Sequence, residues 1–324
     1  MKRTLHKDMD EPAYRKHPGI GSTQLKCFIL EGPLDYYWKY VLGNLEDEEK
    51  YHYTLGSVFH LAMEYPDGWQ DFVTVEPSVV RNDGDYRDCY LQAMGAIQGT
   101  KAKPTKVGDT IGSASKFDKA YKAAFKEWAN DHGKYVIKAD DVDKILGQQA
   151  AVYDNFEVRD FIESCPRRET PVTLEMDGIT AKALLDISND HVFGDFKTTR
   201  FRNIHSFYRL AFRKMGYDYQ FAHYRLVSGI ESHKIIPVTN APPYEAMIMD
   251  VGWEMISEQY DHVIRDLEWL AQHLSMVDES EKDSQGIPYD WHSEYWGAEI
   301  DMEEVFLNRP VTIGGVTEEV EVVG

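Results

Sequence analysis

The chain has 324 residues, 43% apolar and 13% aromatic, enough to bury the core of one large domain or two modest ones. Its net charge of −20 excludes a protein that coats nucleic acid indiscriminately, but not an enzyme whose cations line one channel. Cys27, Cys89 and Cys165 are scattered without a CxxC, no apolar run approaches the ~20 residues that span a bilayer, and the charged start Met1–Asp8 lacks a signal peptide's apolar stretch, so a reducing cytoplasm and no membrane partner are expected.

Residues 1–20 carry no period and read as a loose arm. Ser22-Thr23 can cap a helix through Leu30, interrupted at Gly32-Pro33 and resumed over Leu34–Val41. Leu55–Glu64 reads as a short helix ended by Pro66-Asp67-Gly68, and Phe72–Val75 as a strand. Residues 98–116, with Lys101, Lys103 and Lys106, read as a loop whose lysines suit a phosphate backbone or simply solvent. Phe117, Tyr121, Phe125 and Trp128 recur at helical spacing over 116–131, a stripe that suits a core. Asp140-Asp141 open a longer helix carrying Val142, Ile145, Leu146, Val152, Tyr153 and Phe156. Three antiparallel strands follow: Pro171–Glu175, Ile179–Ile187 after the turn at Asp177-Gly178, and Val192–Thr199. Helices at 204–215 and 217–229 carry Arg209, Arg213 and Lys214, strands at 234–239 and 245–250 join through Pro242-Pro243, and a helix at 252–275 packs with Trp253, Ile256, Tyr260, Val263, Leu267 and Leu270. Beyond 277 the chain is acidic and irregular, with a terminal hairpin around Gly314-Gly315. This order predicts one α/β domain over 21–276 with a helical N-terminal elaboration and an acidic extension at 277–324.

The chemistry concentrates in the last hairpin of the three strands. With its turn centred between Asp190 and His191, Asp186 faces Asp195, and strand alternation puts Lys197 on the face of Asp195. Two carboxylates and an ammonium at one point suit metal-assisted phosphodiester hydrolysis, with hard oxygen ligands for Mg²⁺ or Mn²⁺ and a cation near the scissile phosphate. The same pattern also describes an exposed hairpin with an ordinary ion pair.

At these residues the chain resembles the PD-(D/E)XK nuclease superfamily, and within it the phage and prophage exonucleases of the exodeoxyribonuclease VIII (RecE-type) family. Four pieces in family order carry the resemblance over residues 22–250: Thr23-x-Leu25 with Gly32-Pro33-x-x-Tyr36, then Gly56-x-x-x-His60, then Lys182-x-x-x-Asp186 with Asp195-x-Lys197-Thr198-Thr199, and Gln220-x-x-x-Tyr224. Many relatives have a cation just before the first carboxylate, where this chain has Leu184-Leu185; the nearest cation is Lys182. The resemblance implies a restriction-endonuclease-like core, a mixed central sheet flanked by helices. It implies Asp186 and Asp195 as metal ligands, completed by His60 and the Phe196 carbonyl, with Lys197 positioned at the attacking water or the phosphate. It implies DNA contacts at Thr198, Thr199, Gln220, Tyr224 and Lys182, while Glu64, Glu169 and Glu175 could each add a carboxylate.

The function so implied is an Mg²⁺- or Mn²⁺-dependent exonuclease that degrades linear double-stranded DNA from an end, 5′ to 3′, for a single-strand annealing partner. A ring-shaped homo-oligomer enclosing the DNA would reconcile the acidic total with a basic inner channel. Two other readings stand beside it. One is a different nuclease of the superfamily, cutting internally or at flaps; an iron–sulfur variant lacks the clustered cysteines it needs. The other is a DNA-end-binding module without catalysis.

Overall fold

The computed structural model describes residues 1–44, 51–76, 122, 125–176, 178–277, 281–292, 312–313 and 316–317. Cys89, the loop at 98–116 with its lysines, Phe117, Tyr121, Asp177 and the Gly314-Gly315 turn lie outside them; Thr312–Ile313 and Val316–Thr317 do pair antiparallel.

In chain order the elements that matter are strand β1 (Lys2–Leu5), helices α1 (Glu11–Lys16), α2 (Ser22–Leu30) and α3 (Tyr51–Glu64), and strands β2 (Val73–Val75) and β3 (Tyr135–Ile137). Helices α4 (Ala139–Asp154) and α5 (Phe156–Ser164) lead to strands β4 (Arg167–Met176), β5 (Ile179–Ser188) and β6 (Val192–Thr199). Helix α6 (Tyr217–Ser228), strands β7 (Ser232–Thr239) and β8 (Met249–Asp250) and helix α7 (Trp253–Met276) follow. The central sheet has the order β1-β4-β5-β6-β7-β8, antiparallel except for the β6–β7 pair. A parallel pair needs a crossover, and α6 supplies it. This is the expected α/β architecture of a mixed sheet flanked by helices.

Residues 1–20 are not a loose arm. Lys2–Leu5 pair with Val172–Glu175 of β4, and Asp10 caps α1 by accepting the Ala13 N–H at 2.8 Å. Lys182 holds this segment down: its buried ammonium donates to the carbonyls of Tyr14 (3.0 Å) and His17 (2.6 Å) at the C-terminal end of α1. The sequence gives no period here because a four-residue edge strand with one half-buried position has none to show. The long helix expected from Asp140 breaks at Asn155, whose side chain caps α5 by accepting from Glu157 and Val158. Phe156, expected in the core, is exposed beside that break, as is Trp253, which lies under the Arg225 guanidinium at 4.8 Å.

The chain divides into two compact units, Met1–Ser22 with Asp47–Arg265, and Thr23–Glu46 with Asp266–Gly324. The first holds the central sheet. Its core runs from Val58, Phe59 and Ala62 of α3 through Ile145 and Val152 of α4 to Phe196 and Ile236 of the sheet. In the second unit Trp291, 1% exposed, meets Phe28, Tyr36, Tyr37 and His273 ring to ring. Ile287 and Trp291 are buried apolar residues within 281–292, a stretch that is otherwise irregular and largely exposed.

Gly194 shows how closely α5 rests on β6. A Cβ there would sit 2.6 Å from the Phe161 ring and 3.0 Å from Ile187. Gly194→Ala should lower stability by about 1–3 kcal/mol through overpacking, read as a lower urea midpoint with unchanged slope; an unchanged midpoint would show that Phe161 yields freely.

Candidate active site

Helix α3 carries His60 because its sequence forces one face inward. Leu55, Val58, Phe59, Ala62 and Met63 are buried at helical spacing, and Phe59 meets Phe196 of β6 edge-on at 5.9 Å. His60 follows Phe59 at the margin of that stripe, half-buried, its ring 6.4 Å from Phe196. Its Nδ1 lies 3.4 Å from Asp186 Oδ2 and 3.8 Å from Glu169 Oε1.

The hairpin turn centres where the sequence put it. Ile187 pairs with Gly194 and Ser188 with Phe193, the register that sets Asp186 against Asp195. The β5–β6 ladder ends at those pairs, while β6 continues beside β7 as far as Thr199. Where it ends, the Asp186 carboxylate takes the place of a strand carbonyl and accepts the Phe196 N–H at 2.7 Å. On the other side, Arg168 pairs with Ile187 and Thr170 with Leu185, which brings Glu169 level with Asp186. Glu169 has φ +39°, a conformation costly for a residue with a side chain, and its ladder is interrupted there.

The result is one cluster: ligand atoms of His60, Glu169 and Asp186 all lie within 4.8 Å of one another. Two carboxylates and an imidazole are a donor set suited to Mn²⁺ or Mg²⁺. Asp195 stands apart from this trio, 1% exposed, with Oδ2 2.5 Å from the Lys197 ammonium and Oδ1 accepting from Gln220 Nε2 at 3.3 Å. Gln220 also donates to the Tyr224 hydroxyl at 2.9 Å, one turn along α6. The Tyr217 ring, three residues before Gln220, lies 5.4 Å from Lys197 Nζ and stacks on Phe207.

Burial pushes the Asp195 carboxyl up to about 6, against the pull of Lys197, and raises Asp186 despite His60. Burial alone would lower His60 and Lys197; Asp186 and Glu169 instead lift the imidazole to about 9, and Asp195 and Asp186 lift the ammonium. Without a cation the site therefore holds His60 and Lys197 charged against its carboxylates.

Other residues singled out in the sequence fall elsewhere. Lys182 is engaged with α1 and is not available to a phosphate. Glu175 is exposed and faces Lys2 at 3.7 Å, away from the cluster. Thr199 is buried and accepts the Phe201 N–H, whereas Thr198 is exposed. Glu64 lies one turn beyond His60, and burial raises its carboxyl. Sequence reasoning passed over Tyr217; its i, i+3 spacing from Gln220 was the available signal.

No family model and no curated protein matches the chain. Among solved structures it is similar to a candidate exonuclease from Eubacterium rectale, at 13% identity and a TM-score of 0.49, over 94% of this chain and 100% of that one. It is also similar to a phage-related exonuclease from Haemophilus somnus 129PT, at 13% identity and a TM-score of 0.23, over 67% of this chain and 94% of that one.

If the trio holds a cation, Glu169→Ala should weaken Mn²⁺ binding in calorimetry as severely as Asp186→Ala; an unchanged Mn²⁺ isotherm for Glu169→Ala would remove Glu169 from the ligand set. The cluster also sets a pH dependence. A His60 pKa raised from its ordinary 6.5 to about 9 adds stability that is complete below pH 6.5 and lost as pH rises through 9. The metal-free protein should lose several degrees of melting temperature between those values, and His60→Ala should flatten that slope.

Proposed function

We propose that this protein is an Mg²⁺- or Mn²⁺-dependent DNA exonuclease that degrades linear duplex from an end. The observation that carries this reading is the convergence of His60, Glu169 and Asp186 beside the ion pair of buried Asp195 with half-buried Lys197. Such a trio or an ion pair alone would be commonplace. Together they provide an anionic cradle for a divalent cation next to an ammonium held by Asp195, which is the charge pattern that phosphodiester cleavage requires.

His60, Glu169 and Asp186 would hold a divalent cation, with Asp195 facing Asp186 across the hairpin, and the bound cation would supply Lewis-acid polarisation of a phosphate oxygen and a water of lowered pKa. The chain's own groups do the rest. The Phe196 N–H fixes the Asp186 carboxylate, so that oxygen does not have to be reoriented when the substrate arrives. Lys197 stays protonated at neutral pH and therefore acts as a donor to phosphate charge rather than as a base. Asp195 and the Tyr217 ring hold the ammonium from two sides, and Gln220 holds Asp195. Tyr224 keeps the Gln220 amide in place.

Action from an end in the 5′ to 3′ direction, a ring-shaped homo-oligomer and a single-strand annealing partner rest on the motif resemblance. They complete the proposal: the product is a single-stranded tail for recombination or repair. Thr198, exposed at the end of β6, is the threonine of the motif left free to meet DNA.

Linearised plasmid should be consumed with Mg²⁺ or Mn²⁺ and spared with EDTA, while the covalently closed circle survives. Linearisation of the closed circle at a comparable rate would make the protein an endonuclease of the same chemistry. Lys197→Ala should cut at least about a hundredfold more slowly in single turnover, a loss of a few kcal/mol of transition-state stabilisation, with end-binding in Ca²⁺ changed less than about tenfold. Normal cleavage by this variant would remove Lys197 from the mechanism, and a wild type that binds ends yet never cuts would be a binding module.

A further inference from the structure

Between Asp195 and Asp218 the sequence contains no acidic residue, the longest such interval in a chain of net charge −20. Arg200, Arg202, Arg209, Arg213 and Lys214 fall inside it. The interval leaves the sheet just after Lys197 of β6 and ends at Tyr217 of α6, so both its ends belong to the candidate site. Nothing in the proposed chemistry uses the cations between them.

Local structure turns most of these cations outward. Asn203 opens a helical stretch at 204–212 by accepting the His205 N–H at 2.8 Å and the Ser206 N–H at 3.2 Å. Its inner face is aromatic: buried Phe207 stacks on Tyr217, and buried Phe212 meets Phe221 of α6. Arg209, Arg213 and Lys214 are left exposed, with Arg209 and Arg213 about one turn apart and so on one side. Arg200 is exposed as well. Arg202 is different: it donates to the Ala241 carbonyl at 3.0 Å and to those of Pro242 and Pro243, which ties the segment to the turn after β7.

Acidic residues outnumber basic ones by 55 to 35, and several surface cations elsewhere meet a carboxylate, as in Lys2–Glu175, Arg15–Glu11 and Lys234–Asp250. Among the described residues, Arg200, Arg209, Arg213 and Lys214 meet none. Like charges gathered in one short segment repel one another, and a polyanion laid against them removes that repulsion. Guanidinium forks match phosphate oxygens, and the buried rings of the segment leave no platform for stacked bases.

We infer that the segment at 200–214 is the surface on which the phosphate backbone of duplex DNA rests beside the catalytic pair, through Arg200, Arg209, Arg213 and Lys214. The inference rests on the nuclease reading above and adds to it the place where the uncut duplex is held. Such contacts position the DNA without reading its sequence. They also allow one acidic chain to bind a polyanion, because screening confines the attraction to the neighbourhood of the patch.

The test measures binding of the full chain to a labelled duplex in Ca²⁺ by anisotropy across a range of salt concentrations. Log affinity falls linearly with log salt, with a slope of about −0.9 for each phosphate neutralised. Arg209→Gln/Arg213→Gln/Lys214→Gln should make that slope shallower by about two to three and weaken binding at least about tenfold at moderate salt. Each single Gln variant should make it shallower by about one. Arg209→Lys/Arg213→Lys, which keeps the charge, should retain the wild-type slope. Lys2→Gln/Lys234→Gln, which removes paired cations elsewhere, should retain it too. Gln variants with the wild-type slope, or with a slope no shallower than that of Lys2→Gln/Lys234→Gln, would overturn the inference while leaving the nuclease reading intact. A wild type that neither binds nor cuts duplex would overturn both.

Discussion

The Asp186 carboxylate that accepts the Phe196 N–H is the contact on which the site depends. Strands β5 and β6 share a ladder only at the turn end of their hairpin, and beyond it β6 follows β7 instead. A buried backbone N–H without a partner costs free energy, so a polar side chain must stand in for the missing strand. Asp186 does so, and in doing so is fixed within reach of His60. The parting of the strands thus creates the opening and also positions the acid that lines it.

Electrostatic conflict accompanies that geometry. Asp186, Asp195 and Glu169 would repel one another if nothing positive lay among them. Lys197 and the protonated His60 supply that charge in the metal-free protein. A divalent cation in the trio would replace the proton on His60 rather than fill a neutral cavity, which couples metal binding to proton release. Helix α6 adds the outer layer through Tyr217, Gln220 and Tyr224, which face the Asp195–Lys197 pair from one side of the helix.

The N-terminal residues have a further structural role. β1 covers the outer edge of β4, the strand that carries Glu169. Lys182 fixes α1 against β5, so the residue that reads in the sequence as a phosphate-binding cation instead anchors the N-terminal segment. The left-handed turn at Glu169 is held in place by the paired residues on either side, Arg168 and Thr170. Strain of this kind survives where flanking structure over-determines it.

Local patterns in the chain determined the hairpin and its turn, the Asp186–Asp195 register, the face shared by Asp195 and Lys197, and the amphipathic stripe that carries His60. Strand alternation and helical spacing act over a few residues, so they can be read without knowing the partners. Which carboxylate joins His60 was not legible in this way. Glu169 and Glu175 both sit near the hairpin in sequence; only the β4–β5 pairing puts Glu169 beside Asp186 and leaves Glu175 in solvent against Lys2. Likewise a lysine four residues before Asp186 reads as a phosphate contact until the carbonyls of α1, some 165 residues away along the chain, claim its ammonium. Charged side chains take whatever partner the tertiary structure brings within reach, and burial decides which of them can afford to be without one.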